Sequence, residues 1–208
     1  MPRLRGVLHT YAFFASLVVG AGLIAVAHSG RARLAAVVYV AGLAGCLGTS
    51  AVYHRGRWSP PVRAWLGRAD HSMIFVLIAA TYTPVCLLGL SGALAGWLLF
   101  SVWAGALVGI VLSLAWWSPP VVVEVVPYLA LGWAAVVIMP QLPASVGWTG
   151  LVLLVAGGLL YTVGAVIYGL ERPNPRPLVF GYHEVFHTCT IAAAVSHLTV
   201  VGILLFRV

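Results

Sequence analysis

Long apolar runs follow one another along this chain with only short polar joints between them, and that pattern leaves it few ways to fold. The runs lie near residues 11–28, 34–54, 70–90, 93–115, 121–139, 148–170 and 182–206. Each approaches the roughly 20 residues that a helix needs to cross the hydrocarbon of a bilayer. Inside hydrocarbon every backbone N–H and C=O must be satisfied within the segment, so each run reads as a helix. The alternative, a soluble core, fails on composition. The chain is 62% hydrophobic and 7% charged, whereas a soluble domain carries about 25% charged residues. The expectation is an all-α integral membrane protein. It is a single domain over residues 1–208, built as a bundle of seven transmembrane helices.

The joints are legible as breakers. Ser118-Pro119-Pro120 separates the fourth run from the fifth, and Pro140-Gln141-Leu142-Pro143 closes the fifth. Residues 171–177, with Pro173, Pro175 and Pro177, cannot be helical. Pro84 and Pro127 fall inside runs and predict kinks. Arg3 and Arg5 precede the first run as they would in a signal peptide. That run is too long for a signal core and no small-residue cleavage site follows, so it is read as the first transmembrane helix. Gly105 and Gly109 permit close helix packing without specifying an oligomer.

Charge orients the bundle. The formal net charge is +7, from 11 basic and 4 acidic residues, and every basic residue is Arg. With the N-terminus in the cytoplasm, Arg3, Arg5, Arg55, Arg57, Arg63, Arg68, Arg172 and Arg176 lie inside, and Arg31, Arg33 and Arg207 lie outside. The positive-inside rule therefore favours a cytoplasmic N-terminus and an external C-terminus. Spread over short loops, these arginines form no basic, aromatic-interleaved helix, so no nucleic-acid partner is expected. A lysine-free composition rich in Ala, Gly, Val and Arg points to a bacterial source and a multi-pass location in the cell (plasma) membrane. Cys46, Cys86 and Cys189 are scattered through apolar runs and form neither a disulfide framework nor a CxxC knuckle.

Ionisable groups are costly within a membrane, and here they collect at one depth. His54 ends the second run on the inner side. Asp70 and His71 begin the third run there, and His183 and His187 begin the seventh. His183 and His187, four residues apart, share a helix face. With His54 they make three imidazoles able to ligate one zinc ion, leaving a fourth position open. Asp70 is placed to hold a water or orient a ligand, and Ser50, one turn from His54, to hydrogen-bond with it. Singly, each group has a plainer reading. A histidine at a membrane boundary is usually just interfacial, as His9 and His28 are read here, and Asp70 can pair with Arg68 or cap its helix. Residues 183–187 also spell HExxH, the motif of zinc proteases in which Glu184 is the base. His197 lies ten residues beyond His187, about 15 Å along a straight helix, too far to share the ion.

Ser50-Ala-Val-Tyr-His54, Asp70-His71-Ser72, Ile78-Ala-Ala-Thr81-Tyr82-Thr83-Pro84 and His183-Glu-Val-Phe-His187 with His197 beyond, in this order, resemble the hemolysin III family. That family is the bacterial branch related to the progestin and adiponectin receptors, in a wider group that includes the alkaline ceramidases. The resemblance runs from the first span to the last. It implies seven helices with the N-terminus inside and zinc on His54, His183 and His187. It further implies that Asp70 reaches the metal through a water, with Ser50 beside it. The adiponectin receptors have Gln where Glu184 stands, which weakens Glu184 as an obligatory base. The resemblance suggests hydrolysis of a membrane lipid amide or ester, with Asp70 and Ser50 as the catalytic pair. Three other readings stand beside it: a receptor or regulator with structural zinc, a pore-forming haemolysin-like protein, and an intramembrane HExxH protease. The third to sixth runs carry almost no ionisable residues to line a pore.

Overall fold

The computed structural model describes residues 2–116 and 120–207. Among these the chain forms α1 (Val7–Ala25), α2 (Gly30–Arg55), α3 (Pro60–Pro84), α4 (Ala93–Ala115), α5 (Val121–Trp133), α6 (Leu142–Leu170) and α7 (Tyr182–Arg207). Ser118 and Pro119 of the expected break between α4 and α5 lie outside the described residues. Six stretches are long and apolar enough to cross a membrane, and one of them, Val121–Leu170, is 50 residues long. A straight helix of that length would run roughly 75 Å, more than twice the hydrocarbon thickness.

The helix ends follow local chemistry. Ser29 caps α2, its hydroxyl accepting from Ala32 N–H at 3.1 Å. Pro60 and Pro61 open α3, where their missing N–H groups cost nothing. At the start of α7 the Glu184 carboxylate accepts from Gly181 N–H at 2.7 Å, the return half of a capping box.

Three expectations about boundaries need correction. The third run is expected from residue 70, but α3 begins at Pro60. Its first ten residues already form part of the continuous helix, so Arg63 and Arg68 sit on a helix and not in a loop. The first helix likewise starts at Val7, ahead of residue 11. The third concerns residues 140–143, which do not stop the chain. After α5 the backbone tightens into a 3₁₀ segment, Ala134–Gln141, and runs directly into α6. The true break is Gly147, at φ 70° and ψ 175°, a conformation open to glycine alone.

Proline irregularities are absorbed inside the protein. Pro84 ends α3 and the next five residues, Val85–Gly89, form a π-helical turn. Beyond Pro127, where α5 gives way to the 3₁₀ segment, the Tyr82 phenol of α3 donates to the carbonyl of Gly132 at 2.7 Å. Thr83 donates to Ala79 O at 2.9 Å and accepts from Trp103 Nε1 at 3.2 Å. Each bond satisfies backbone or side-chain polarity that lipid would leave bare.

α2 packs on α1 and α3, α3 on α4, and α6 on α7. The interior is mostly apolar, and so is the outside: Phe14, Val18, Phe100, Leu107 and Val152 are all exposed. Outward hydrophobics on this scale are what a lipid-facing surface requires.

Small residues set the spacing where helices cross. A Cβ at Gly42 on α2 would collide with Ala80 Cβ on α3. Gly42→Leu should therefore force α2 and α3 apart at a cost of about 1–3 kcal/mol. A several-degree fall in the unfolding temperature in detergent is expected, and an unchanged temperature would show that this crossing does not constrain the bundle.

Candidate metal centre

The end of α2 and the start of α7 meet at one end of the bundle. Three sets of contacts from the N-terminal segment hold them there. Backbone N–H groups of Arg3 and Leu4 donate to the carbonyls of Leu178 and Val179, at 3.0 and 3.1 Å, joining the N-terminal segment to the α6–α7 loop. Arg5 Nε lies 2.7 Å from Glu184 Oε1, and Glu184 is 1% exposed. Gly6 sits at φ 74° so close to α2 that a Cβ there would fall 2.6 Å from His54 Cβ. The beginning of α1 is thus pressed against the residues that carry the site.

His54, His183 and His187 come together as expected. Their ligating nitrogens all lie within 4.8 Å of one another. His54 Nε2 and His183 Nε2 are 3.2 Å apart. Two nitrogens bound tetrahedrally to one zinc ion at 2.0–2.1 Å would be separated by about 3.3 Å. The same distance suits one N–H···N bond between neutral rings, but such a bond joins a pair and gives no reason for a third imidazole. The donor set, three imidazole nitrogens drawn from two helices, fits a metal ion. Asp70 Oδ2 stands 3.5 Å from His54 Nε2, on the edge of the cluster. Ser50 is buried, and it lines the same cavity as Asp70, His183 and His187.

That cavity, of about 180 Å³, runs from the histidine cluster into the bundle, past Tyr161 and His197 to Met139 and Leu142. Its deeper walls are apolar side chains. His197 Nε2 bonds Leu154 O at 3.2 Å, well away from the cluster. Cys189 is partly buried and stands outside the cluster. A second cavity, of about 410 Å³, lies on the other side of α3, with Arg63, Arg68 and Glu124 in its walls. His71 borders both cavities, and its Nδ1 is 3.9 Å from Glu124.

Two readings change. His9 is not interfacial: it is 5% exposed and stacked on His187, with ring centroids 3.8 Å apart and planes 5° from parallel. α1 begins at the same end of the bundle, so His9 shares the depth of the clustered histidines. His28, by contrast, is exposed at the far end of α1, as expected. Glu184 is engaged by Arg5 and by Gly181 N–H. Both carboxylate oxygens are engaged, which counts against Glu184 as the free base that the HExxH reading needs.

A helical bundle with apolar outer faces and a buried three-histidine cluster at one end defines a multi-pass integral membrane protein with a candidate metal site. A model of the family described as Haemolysin-III related matches residues 1–198, and the chain belongs to that family. It is 42% identical over 127 residues to "Hemolysin-3 homolog" of Bacillus subtilis (strain 168), a match covering 61% of this chain and 57% of the relative. It is 35% identical over 113 residues to "Hemolysin-3" of Bacillus cereus, covering 54% of this chain and 52% of the relative. These matches span little more than half the length of either curated relative. It is also 26% identical over 179 residues to "Monocyte to macrophage differentiation factor" of Homo sapiens, covering 84% and 72%.

Two predictions follow from the geometry. Elemental analysis of detergent-purified protein should find about one metal ion per chain, lost in a His183→Ala/His187→Ala double variant. Wild type free of metal would refute the site. Arg5→Ala, which strands a buried carboxylate, should cost about 3 kcal/mol, and adding Glu184→Gln should recover much of it. A double-mutant cycle on unfolding in detergent measures this, and simple additivity would show that the pair is uncoupled.

Proposed function

We propose that this protein is a zinc-dependent hydrolase of the membrane that cleaves an amide or ester of a lipid. The observation that carries the reading is the placement of three histidine nitrogens within 4.8 Å of one another at the head of an apolar cavity that Asp70 also lines. A zinc ion on His54, His183 and His187 would supply Lewis-acid chemistry, polarising a carbonyl and bringing the pKa of water to about 7.

The chain's own residues supply the rest. Asp70, 3.5 Å from a ligand nitrogen, is placed to orient water and take its proton. Ser50, buried one helical turn from His54, would hydrogen-bond to Asp70 or to that water. The apolar walls hold an acyl chain, and the cluster lies at the polar end, where a headgroup would sit. Seven crossings are supported by the 50-residue stretch with its break at Gly147, too long to span once. In this topology the N-terminus and the metal centre face the cytoplasm, the C-terminus faces outside, and the protein resides in the cell membrane. The arginines beside the centre, Arg3, Arg5, Arg55 and Arg57, support that orientation.

A second reading is a non-enzymatic receptor or regulator. It is favoured by the nearness of Asp70, which by moving inward would complete a four-ligand structural shell. Asp70→Asn separates the two. For a hydrolase, zinc content stays near wild type while hydrolysis of lipid amides in mixed micelles falls at least about 100-fold. For a structural shell, metal affinity and thermal stability fall together. Full hydrolytic activity in the variant would refute the role of Asp70.

A further inference from the structure

A metal-ligating histidine is ordinarily oriented by a hydrogen bond from its other ring nitrogen to a carboxylate, carbonyl or water. Among the described residues no hydrogen bond reaches the His187 ring. His54, His183 and Phe186 meet it at tilted angles, with centroids 5.1, 4.5 and 5.5 Å away. One face is covered flat by His9, at 3.8 Å and 5°. That is closer than the roughly 4.5–7 Å usual between aromatic centroids.

A second link runs through Thr190. Its hydroxyl carries one proton, which it donates to the carbonyl of His187 at 2.9 Å. The oxygen is then an acceptor, and His9 Nε2, 3.4 Å away, must be the donor. His9 is therefore tied to His187 twice, face to face through the rings and through the hydroxyl of the next turn of α7. Its own helix is fixed just upstream by the Arg5–Glu184 ion pair and by Gly6 against His54.

We propose that His9 is a positioning residue of the metal centre. Its stacked ring holds the plane of His187, so that this ligand aims at the point that His54 and His183 share. The inference rests on reading the histidine cluster as a metal site. It assigns to a residue of α1 the orienting work that a hydrogen-bonded carboxylate does elsewhere.

The test uses the full chain in detergent, titrated with Co²⁺ and followed by its visible absorption, with Zn²⁺ affinity taken by competition against a chromophoric chelator. His9→Ala should weaken metal affinity roughly 10- to 100-fold, as loss of an orienting partner does, and should change the Co²⁺ spectrum. His9→Phe keeps a flat ring and should recover most of the affinity and the wild-type spectrum. Thr190→Val removes only the hydroxyl link and should fall between them. His9→Ala with wild-type affinity and spectrum overturns this inference and leaves the metal site standing. His9→Phe as weak as His9→Ala overturns the stacking role, because the effect would then lie in the nitrogens. If His9→Ala does not fold, His9→Leu, which keeps bulk without a flat ring, takes its place, with the same loss expected and the same wild-type result overturning the inference. Wild type that binds neither Co²⁺ nor Zn²⁺ overturns the metal reading, and this inference with it.

Discussion

Imidazole nitrogens, a carboxylate and a guanidinium find no partner in hydrocarbon, so a bundle that contains them must bring them to one another. Most of the architecture at one end of this protein meets that requirement. Glu184 is nearly inaccessible, and it is matched by Arg5 and the Gly181 N–H. His54 lies beside His183 and Asp70. The N-terminal segment reaches across to the α6–α7 loop to make the Arg5 contact possible. The stretch before α1 is therefore part of the framework of the candidate site, although it carries none of the three clustered nitrogens.

The other half of the molecule answers the same constraint with backbone irregularity in place of charge. The region from α5 to α6 contains Pro127, Pro140, a 3₁₀ segment and the Gly147 break. Tyr82 and the Trp133–Thr162 bond, at 2.9 Å, supply polar partners from within the bundle. Regular helices hold the histidine cluster, whereas the irregular ones wall the far end of the cavity. This division suits a site that needs fixed geometry at its polar end and only an apolar boundary at the other.

Much of the site was legible because depth in a membrane is a one-dimensional coordinate that span order already sets. Helices alternate in direction, so residues at the ends of the second, third and seventh runs had to share a level. That order alone places His54, Asp70, His183 and His187 at one level, and the structure brings the three histidines together with Asp70 beside them. His9 lies at the same level, but a lone histidine near a helix end reads as interfacial. What distinguishes it is a ring-on-ring contact between α1 and α7, helices far apart in sequence. The early start of α3 is hidden for a different reason. An apolar run marks only the part of a helix inside the lipid, while Pro60-Pro61 after Ser59 marks where the helix itself begins.

The sequence alone determined the solvent, the helical class and the level at which the ionisable groups gather. All three follow from composition and spacing along one chain, and no partner needs to be known. Tertiary structure decided which of those groups touch. It set Glu184 against Arg5 and away from the cluster, laid His9 flat on His187, and turned His71 toward Glu124. Such choices depend on the rotation of each helix about its axis. Rotation is set by close packing at positions such as Gly6 and Gly42, and an apolar run facing lipid on one side and protein on the other carries too weak a moment to reveal it.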